Sequence, residues 1–279
     1  MNLKKAVKYL LPVSVKKWLK YTLYCAQDFV AYITGKSDDR YPPKRLNFVG
    51  SSEFKKVGEE FVDYFIRLGG LKPSDTVLDI GSGIGRMAIP LKEYLKDGKY
   101  YGFDIDKRGV EWCQQNISKV SPNFHFEYVD IYNKYYNQSG KIQAHEFVFP
   151  YADNTFTFIF ATSVFTHMMP NQIDQYFSEI RRVLKPGGTC FFTWFSIDKE
   201  ADANIQNKTS FCDLRYKYND YCFYSHKNSP EAEIGYTEDW ICNALKQIDC
   251  HKDLKIHHGS WAQRKEQFSY QDIFISKSL

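Results

Sequence analysis

The residues with the clearest chemical spacing are Asp79, Gly81, Gly83 and Gly85, within Asp79-Ile-Gly-Ser-Gly-Ile-Gly85. Glycines at alternate positions let a backbone turn sharply and let a ligand approach where a Cβ would collide. Ser82, inside the loop, offers a hydroxyl, and Asp79 places a carboxylate two residues before the first glycine. A dinucleotide site of the Gly-x-Gly-x-x-Gly kind needs its third small residue at position 86, which is Arg86. The spacing therefore argues against a nicotinamide enzyme. A second acid, Asp104, follows the loop by about twenty residues, where a carboxylate can accept from two ribose hydroxyls at once.

These residues need particular elements to hold them. Thr76 to Ile80 is a short apolar, β-branched run, as expected of a strand buried on both faces, and a helical pattern through Met87, Leu91 and Leu95 reaches Gly98. Pro90 is tolerated there if the helix begins near Gly85 or Arg86, because the first amides of a helix have no partner within it. Further strands are expected at Lys99–Ile105, Phe124–Asp130, Thr155–Ala161, Thr189–Phe195, Leu254–Gly259 and Gln271–Ser276. Helical patterns occupy Val57 to Leu68, Asn171 to Leu184 (closed by Lys185-Pro-Gly-Gly188) and the stretch opened by Thr237-Glu-Asp-Trp240. Strands alternating with helices predict an α/β, doubly wound, mostly parallel seven-stranded sheet. In such sheets ligands bind at the carboxyl ends of the strands, which here include Thr162-Ser-Val-Phe-Thr-His-Met168.

Asp79-x-Gly-x-Gly-x-Gly, Asp104, Asp130 and Val183-Leu-Lys-Pro-Gly-Gly188 together resemble the class I S-adenosylmethionine-dependent methyltransferases, with their Rossmann-like fold. Phe48-Val-Gly-Ser-Ser52, Gly83-Ile-Gly-Arg-Met87, Trp112-Cys113, Thr162 to Met168 and Ser229-Pro-Glu231 look like a bacterial small-molecule or glycan-type subgroup. The resemblance implies S-adenosylmethionine as cofactor. It places the methionine part against Asp79, Gly81, Ser82, Gly83 and Gly85, the ribose on Asp104, and the adenine near Ile105, Asp130 and Ile131. Ser163 joins this set from the loop after the fourth strand. Methyl transfer to an oxygen needs a proton acceptor, and His167 is the candidate base by position and pKa, with a packing role as the alternative.

Departures narrow the acceptor. Phe160-Ala-Thr-Ser163 is not the Asn-Pro-Pro-Tyr or Asp-Pro-Pro-Tyr of adenine methylases in DNA, and the chain has no Pro-Cys nucleophile for cytosine chemistry. A net charge of only +4 gives no reason to expect nucleic acid. The expected acceptor is a small molecule or glycan, bound by the Tyr- and Asn-bearing insertions 132–150 and 196–235. A non-catalytic cofactor-binding or scaffold module of the same fold is the competing reading.

Seven scattered cysteines without a Cys-x-x-Cys pair, and unpatterned histidines, give no metal spacing and fit a reducing cytosol. Residues 1–40 form a basic extension expected to be helical, with the methyltransferase domain at 41–279. In the extension six lysines (4, 5, 8, 16, 17 and 20) precede the first acid, Asp28, and Pro12 and Ser14 split it, with Ser14 as a candidate N-cap. Interleaved with Trp18, Leu19 and Tyr21, the lysines suit either peripheral contact with the inner face of an anionic membrane or a helix packed on the domain.

Overall fold

The central apolar runs pair side by side in parallel, as strands buried on both faces do. In the computed structural model, residues 13–46, 53–134 and 136–279 are described, with the side chains of 13–18 and 20 outside that description. The Phe48–Ser52 phrase, the side chain of Trp18 and those of the six amino-terminal lysines therefore lie outside the described residues. The chain divides into two units, Met1–Lys55 and Lys56–Leu279, so the first extends past the boundary expected near residue 40.

In the first unit, α1 (Val13–Ile33) is followed by a 3-10 turn at Lys44–Leu46. Asp28 holds that turn: its carboxylate accepts the amides of Lys44 at 2.8 Å and Arg45 at 3.0 Å. The helix begins at Val13, so Ser14 lies inside it rather than capping it.

The second unit runs α2 (Phe54–Arg67), β1 (Thr76–Ile80), α3 (Ala88–Tyr94), β2 (Lys99–Asp104), α4 (Lys107–Cys113), β3 (Phe124–Tyr128) and β4 (Phe156–Ala161). It continues through α5 (Pro170–Val183), β5 (Leu184–Trp194), β6 (Ser196–Ile197), α6 (Lys199–Gln206), β7 (Tyr216–Lys217), β8 (Cys222–Tyr224) and β9 (Ile234–Thr237). The last elements are α7 (Glu238–Gln247), β10 (Cys250–His257) and β11 (Asp272–Ser278). Among the described residues the main sheet has seven strands in the order β10-β11-β5-β4-β1-β2-β3. β1 to β5 are parallel to their neighbours, and β11 alone opposes them. The order reverses between β1 and β4, which opens a crevice at their carboxyl ends.

Both faces of the sheet are covered. On one, Phe65 of α2 packs on Phe160 and Phe191 at ring distances of 4.4 and 4.8 Å. On the other, Phe165 stacks on Trp194 at 4.7 Å and meets Phe177 of α5 at 5.4 Å. Pro90 sits in the first turn of α3 and cannot donate to the Arg86 carbonyl one turn back. A Cβ on Gly58 of α2 would collide with that carbonyl, so the two helices approach closely only because residue 58 is glycine.

Several expected boundaries shift. β5 starts at Leu184, taking Lys185-Pro-Gly-Gly188 into the strand, whereas the sequence places the start at Thr189. β10 starts at Cys250, ahead of the expected Leu254, and α3 stops at Tyr94, short of Gly98. The stretch 196–235, without periodicity in the sequence, contains α6 and, with β9, a four-stranded sheet in the order β6-β9-β8-β7. Strands of two to four residues are too short to show a repeat.

Candidate active site

The glycine loop leaves β1 at the crevice and folds back onto the end of β2. The amides of Gly81 and Ser82 both donate to the Phe103 carbonyl at 3.0 Å, and Gly83 N–H donates to Asp104 Oδ2 at 2.7 Å. Gly81, Gly83 and Gly85 have φ of 79°, 55° and 78°, a region that side chains with a Cβ rarely adopt. A Cβ on Gly81 would lie 2.5 Å from Val164 Cγ2, so the loop after β4 rests directly on the glycine loop. At Gly83 an added Cβ would meet nothing within 4 Å, which leaves the loop's open side to a ligand.

Asp79 is buried on β1. Its Oδ2 accepts the Tyr100 hydroxyl at 2.5 Å, while Oδ1 has no hydrogen-bond partner among the described residues. Burial pushes its carboxyl up to about 8, against the lowering pull of Tyr100 and with Asp104 adding to the rise. The Ser82 hydroxyl is likewise buried and unpartnered. A buried carboxylate oxygen and a hydroxyl left orphaned beside an open glycine turn fit a polar ligand that brings donors with it.

Asp104 has two tasks. It braces the loop, with Oδ1 accepting the Asp106 amide at 2.7 Å and Oδ2 the Gly83 amide. Each oxygen keeps a second lone pair, the capacity a ribose diol requires. Burial raises its carboxyl to about 6, opposed by the backbone amides of Asp106, Gly83 and Ile105. Ile105 is partly exposed beside it. Asp130 accepts the Tyr128 hydroxyl at 2.7 Å, whereas Ile131 is buried in the hydrophobic core.

The β4 loop carries Ser163 and His167 to the same crevice. Ser163 has φ 59°, left-handed for a residue with a Cβ. His167 Nδ1 lies 2.9 Å from the Glu231 carbonyl oxygen, which can only accept, so that nitrogen carries the proton. Nε2 is then the basic nitrogen, and it accepts from the Tyr136 hydroxyl at 3.3 Å. Burial lowers the imidazole pKa and keeps the ring neutral.

Glu231 also receives the Lys134 amide on its carboxylate at 2.9 Å, and Tyr236 donates to the Met168 carbonyl at 2.6 Å. The β4 loop therefore joins the two insertions 132–150 and 196–235. Tyr136 was not singled out in the sequence, and Glu231 figured only within Ser229-Pro-Glu231. Their partners lie 31 and 64 residues away, beyond any local pattern.

A third constellation carried no sequence signal. Asp198, Glu238 and His258 each bring one ligand-type atom within 4.8 Å of the others. His258 Nε2 lies 2.8 Å from Glu238, which raises its pKa, and the buried Arg264 guanidinium sits 3.1 Å from Asp198. The cluster thus contains a cation of its own, the Arg264 guanidinium.

Known proteins share this fold. A family profile described as a methyltransferase domain covers residues 78–192, from β1 through β5. Residues 78–192 match a methyltransferase domain of the class I S-adenosylmethionine-dependent kind. It is 30% identical over 122 residues to a 2-phytyl-1,4-naphtoquinone methyltransferase of Trichormus variabilis, covering 43% of this chain and 47% of that one. Among solved structures, a SAM-dependent methyltransferase from Methanosarcina mazei shares the fold with a TM-score of 0.51 at 19% identity, over 77% of this chain and 97% of that one. A Pyrococcus horikoshii protein does so with a TM-score of 0.54 at 14% identity, over 84% and 95%. The matches span 30% to 47% of the length of the curated relatives. The methyltransferase fold is shared more widely than the sequence.

Proposed function

We propose that this protein transfers the methyl group of S-adenosylmethionine to an oxygen of a small-molecule or glycan acceptor. The observation that carries this is the pair of orphaned buried polar atoms, Asp79 Oδ1 and Ser82 Oγ, beside the open turn at Gly83. In this reading Asp79, Ser82 and the glycines at 81, 83 and 85 hold the methionine part. Asp104 takes the ribose, Ile105 and Asp130 flank the adenine, and Ser163 bounds the pocket from β4. Ile131 supports that wall from the core.

The cofactor supplies an electrophilic methyl on a sulfonium, and its transfer leaves a neutral thioether. The chain's part is to align the acceptor, which contributes effective molarity, and to take the acceptor's proton. His167 Nε2 is placed for that step: Nδ1–H stays on the Glu231 carbonyl while the ring becomes an imidazolium. The acceptor cleft is formed by 132–150 and 196–235, which meet at His167.

The amino-terminal unit suits peripheral membrane contact. Leu19, Leu23, Phe29, Val30 and Ile33 of α1 are exposed, and six lysines precede Asp28 in the sequence. Among the described residues no helix is long and apolar enough to cross a membrane.

Calorimetry with S-adenosylhomocysteine tests the cofactor site. Micromolar binding with no heat from NAD is expected, and the reverse pattern overturns the reading. Mass spectrometry of a cell extract incubated with the protein and methyl-labelled cofactor then identifies the acceptor. Binding without any labelled product supports the non-catalytic module instead.

A further inference from the structure

Ser163 is a serine with φ 59°, a left-handed conformation that strains a residue with a Cβ and persists only where its surroundings over-determine it. Its surroundings here are two side chains distant in sequence, one in β5 and one just before β11. The Ser163 amide donates to Thr193 Oγ1 of β5 at 2.7 Å. The Thr193 hydroxyl donates to Gln271 Oε1, just before β11, at 2.6 Å. Gln271 Nε2 donates back to Ser163 Oγ at 3.1 Å, which closes a ring of three hydrogen bonds. Thr193 is fully buried, so water does not compete for its hydroxyl.

The turn at Ser163 has a consequence one residue later. Val164 lies against Gly81, close enough that a Cβ there would sit 2.5 Å from Val164 Cγ2. The Val164 carbonyl in turn accepts the His167 amide at 2.9 Å, in the 3-10 turn that presents the imidazole. The conformation of one serine therefore sets how the β4 loop lies on the glycine loop.

We infer that Thr193 and Gln271 are positioning residues: they clamp Ser163 in its left-handed conformation and so fix the β4 loop against the cofactor-binding turn. This rests on the cofactor reading above. Neither residue lies in a recognisable motif, and Gln271 is 108 residues from Ser163. The clamp couples the segment entering β11 to the glycine loop. Gln271 is followed by Asp272, which accepts from Trp261 at 2.6 Å and from Arg264 at 2.9 Å.

The test is a rescue. Gln271→Ala in the full chain should weaken S-adenosylhomocysteine binding about tenfold, the cost of losing part of a strain-holding network. It should also speed hydrogen exchange of the Ser163 amide, a readout that needs no ligand. In a Ser163→Gly background, Gln271→Ala should weaken binding by no more than about twofold relative to Ser163→Gly alone, because glycine adopts positive φ without strain. A merely structural role predicts a lower melting temperature that Ser163→Gly does not repair. Thr193→Ser keeps the hydroxyl and should bind as wild type, while Thr193→Val should mirror Gln271→Ala and be rescued in the same way. Unchanged affinity and exchange in Gln271→Ala and Thr193→Val, or no rescue by glycine in a folded double variant, overturns the clamp. A wild-type chain that binds no S-adenosylhomocysteine overturns the cofactor reading, and the exchange measurement still decides the clamp.

Discussion

Asp79 sets stability against binding. Its carboxyl is raised to about 8 in the folded chain, far above its unfolded range, chiefly by burial. A raised carboxylate contributes stability that is lost as pH climbs from about 4 toward 8, because the folded state holds the proton longer. Asp79→Asn removes that loss. The variant should melt above wild type by a margin that grows between pH 4 and pH 8, measured by calorimetry. It should also bind S-adenosylhomocysteine about 10- to 100-fold more weakly, the range for a lost hydrogen bond to a charged group.

In the proposed reading the ammonium of the cofactor's methionine part lies against Asp79 and favours its ionised form. Affinity should therefore rise from pH 6.5 to 8, with proton release detectable by calorimetry in buffers of different ionisation heat. At His167 the expectation is separable from folding. Asn places an N–H near the position of Nδ1, so His167→Asn keeps the donor to Glu231 but loses the basic Nε2. Cofactor affinity should be unchanged, while methyl transfer falls by about 10²–10⁴. Burial lowers the His167 pKa, so wild-type rate should decline only below the ordinary histidine range.

At the scale of elements, α5 does more than cover the sheet. Glu179 is buried on it, accepting the Phe149 amide at 2.7 Å and the Arg182 guanidinium at 2.6 Å. Arg182 returns to the same segment through the carbonyls of Phe149 and Tyr151, at 2.9 and 2.7 Å. One helix turn thus fastens the end of the 132–150 insertion before the chain enters β4. Glu179→Ala leaves the Phe149 amide and the guanidinium without that acceptor. It should cost about 1.5–3 kcal/mol and lower the melting temperature by roughly 3–12 °C. Because the glycine loop is braced from β2, S-adenosylhomocysteine affinity should stay near wild type. A large loss of affinity at constant stability would place Glu179 in the cofactor site instead.

The whole chain joins a basic amino-terminal unit to a catalytic domain whose acceptor is a small molecule or glycan in the reading above. Each lysine near an anionic surface contributes about 1 kcal/mol, and exposed Leu19, Leu23 and Phe29 supply apolar contact. The full chain should float with anionic vesicles at low salt and sink at high salt. A chain beginning at Tyr41 should stay in the soluble fraction under both conditions. If both chains behave alike, the amino-terminal unit has no membrane role.

The glycine run, the acid at the end of β2 and the stop of α5 just before Lys185-Pro-Gly-Gly188 were legible because each is local: a turn conformation, a strand end and a helix stop are written in neighbouring residues. The strand–helix alternation was legible for the same reason, and with it the doubly wound sheet and the cofactor family. Tertiary structure alone decided which distant groups meet. It turned Asp104 into a brace for Gly83 as well as a candidate ribose ligand, and it fixed the tautomer of His167 through Glu231. It also held Ser163 in a left-handed turn through Thr193 and Gln271. The small sheet within 196–237 escaped the sequence because strands of two to four residues show no period. Such contacts depend on where chain-distant strands are brought by packing, and no pattern in neighbouring residues records them.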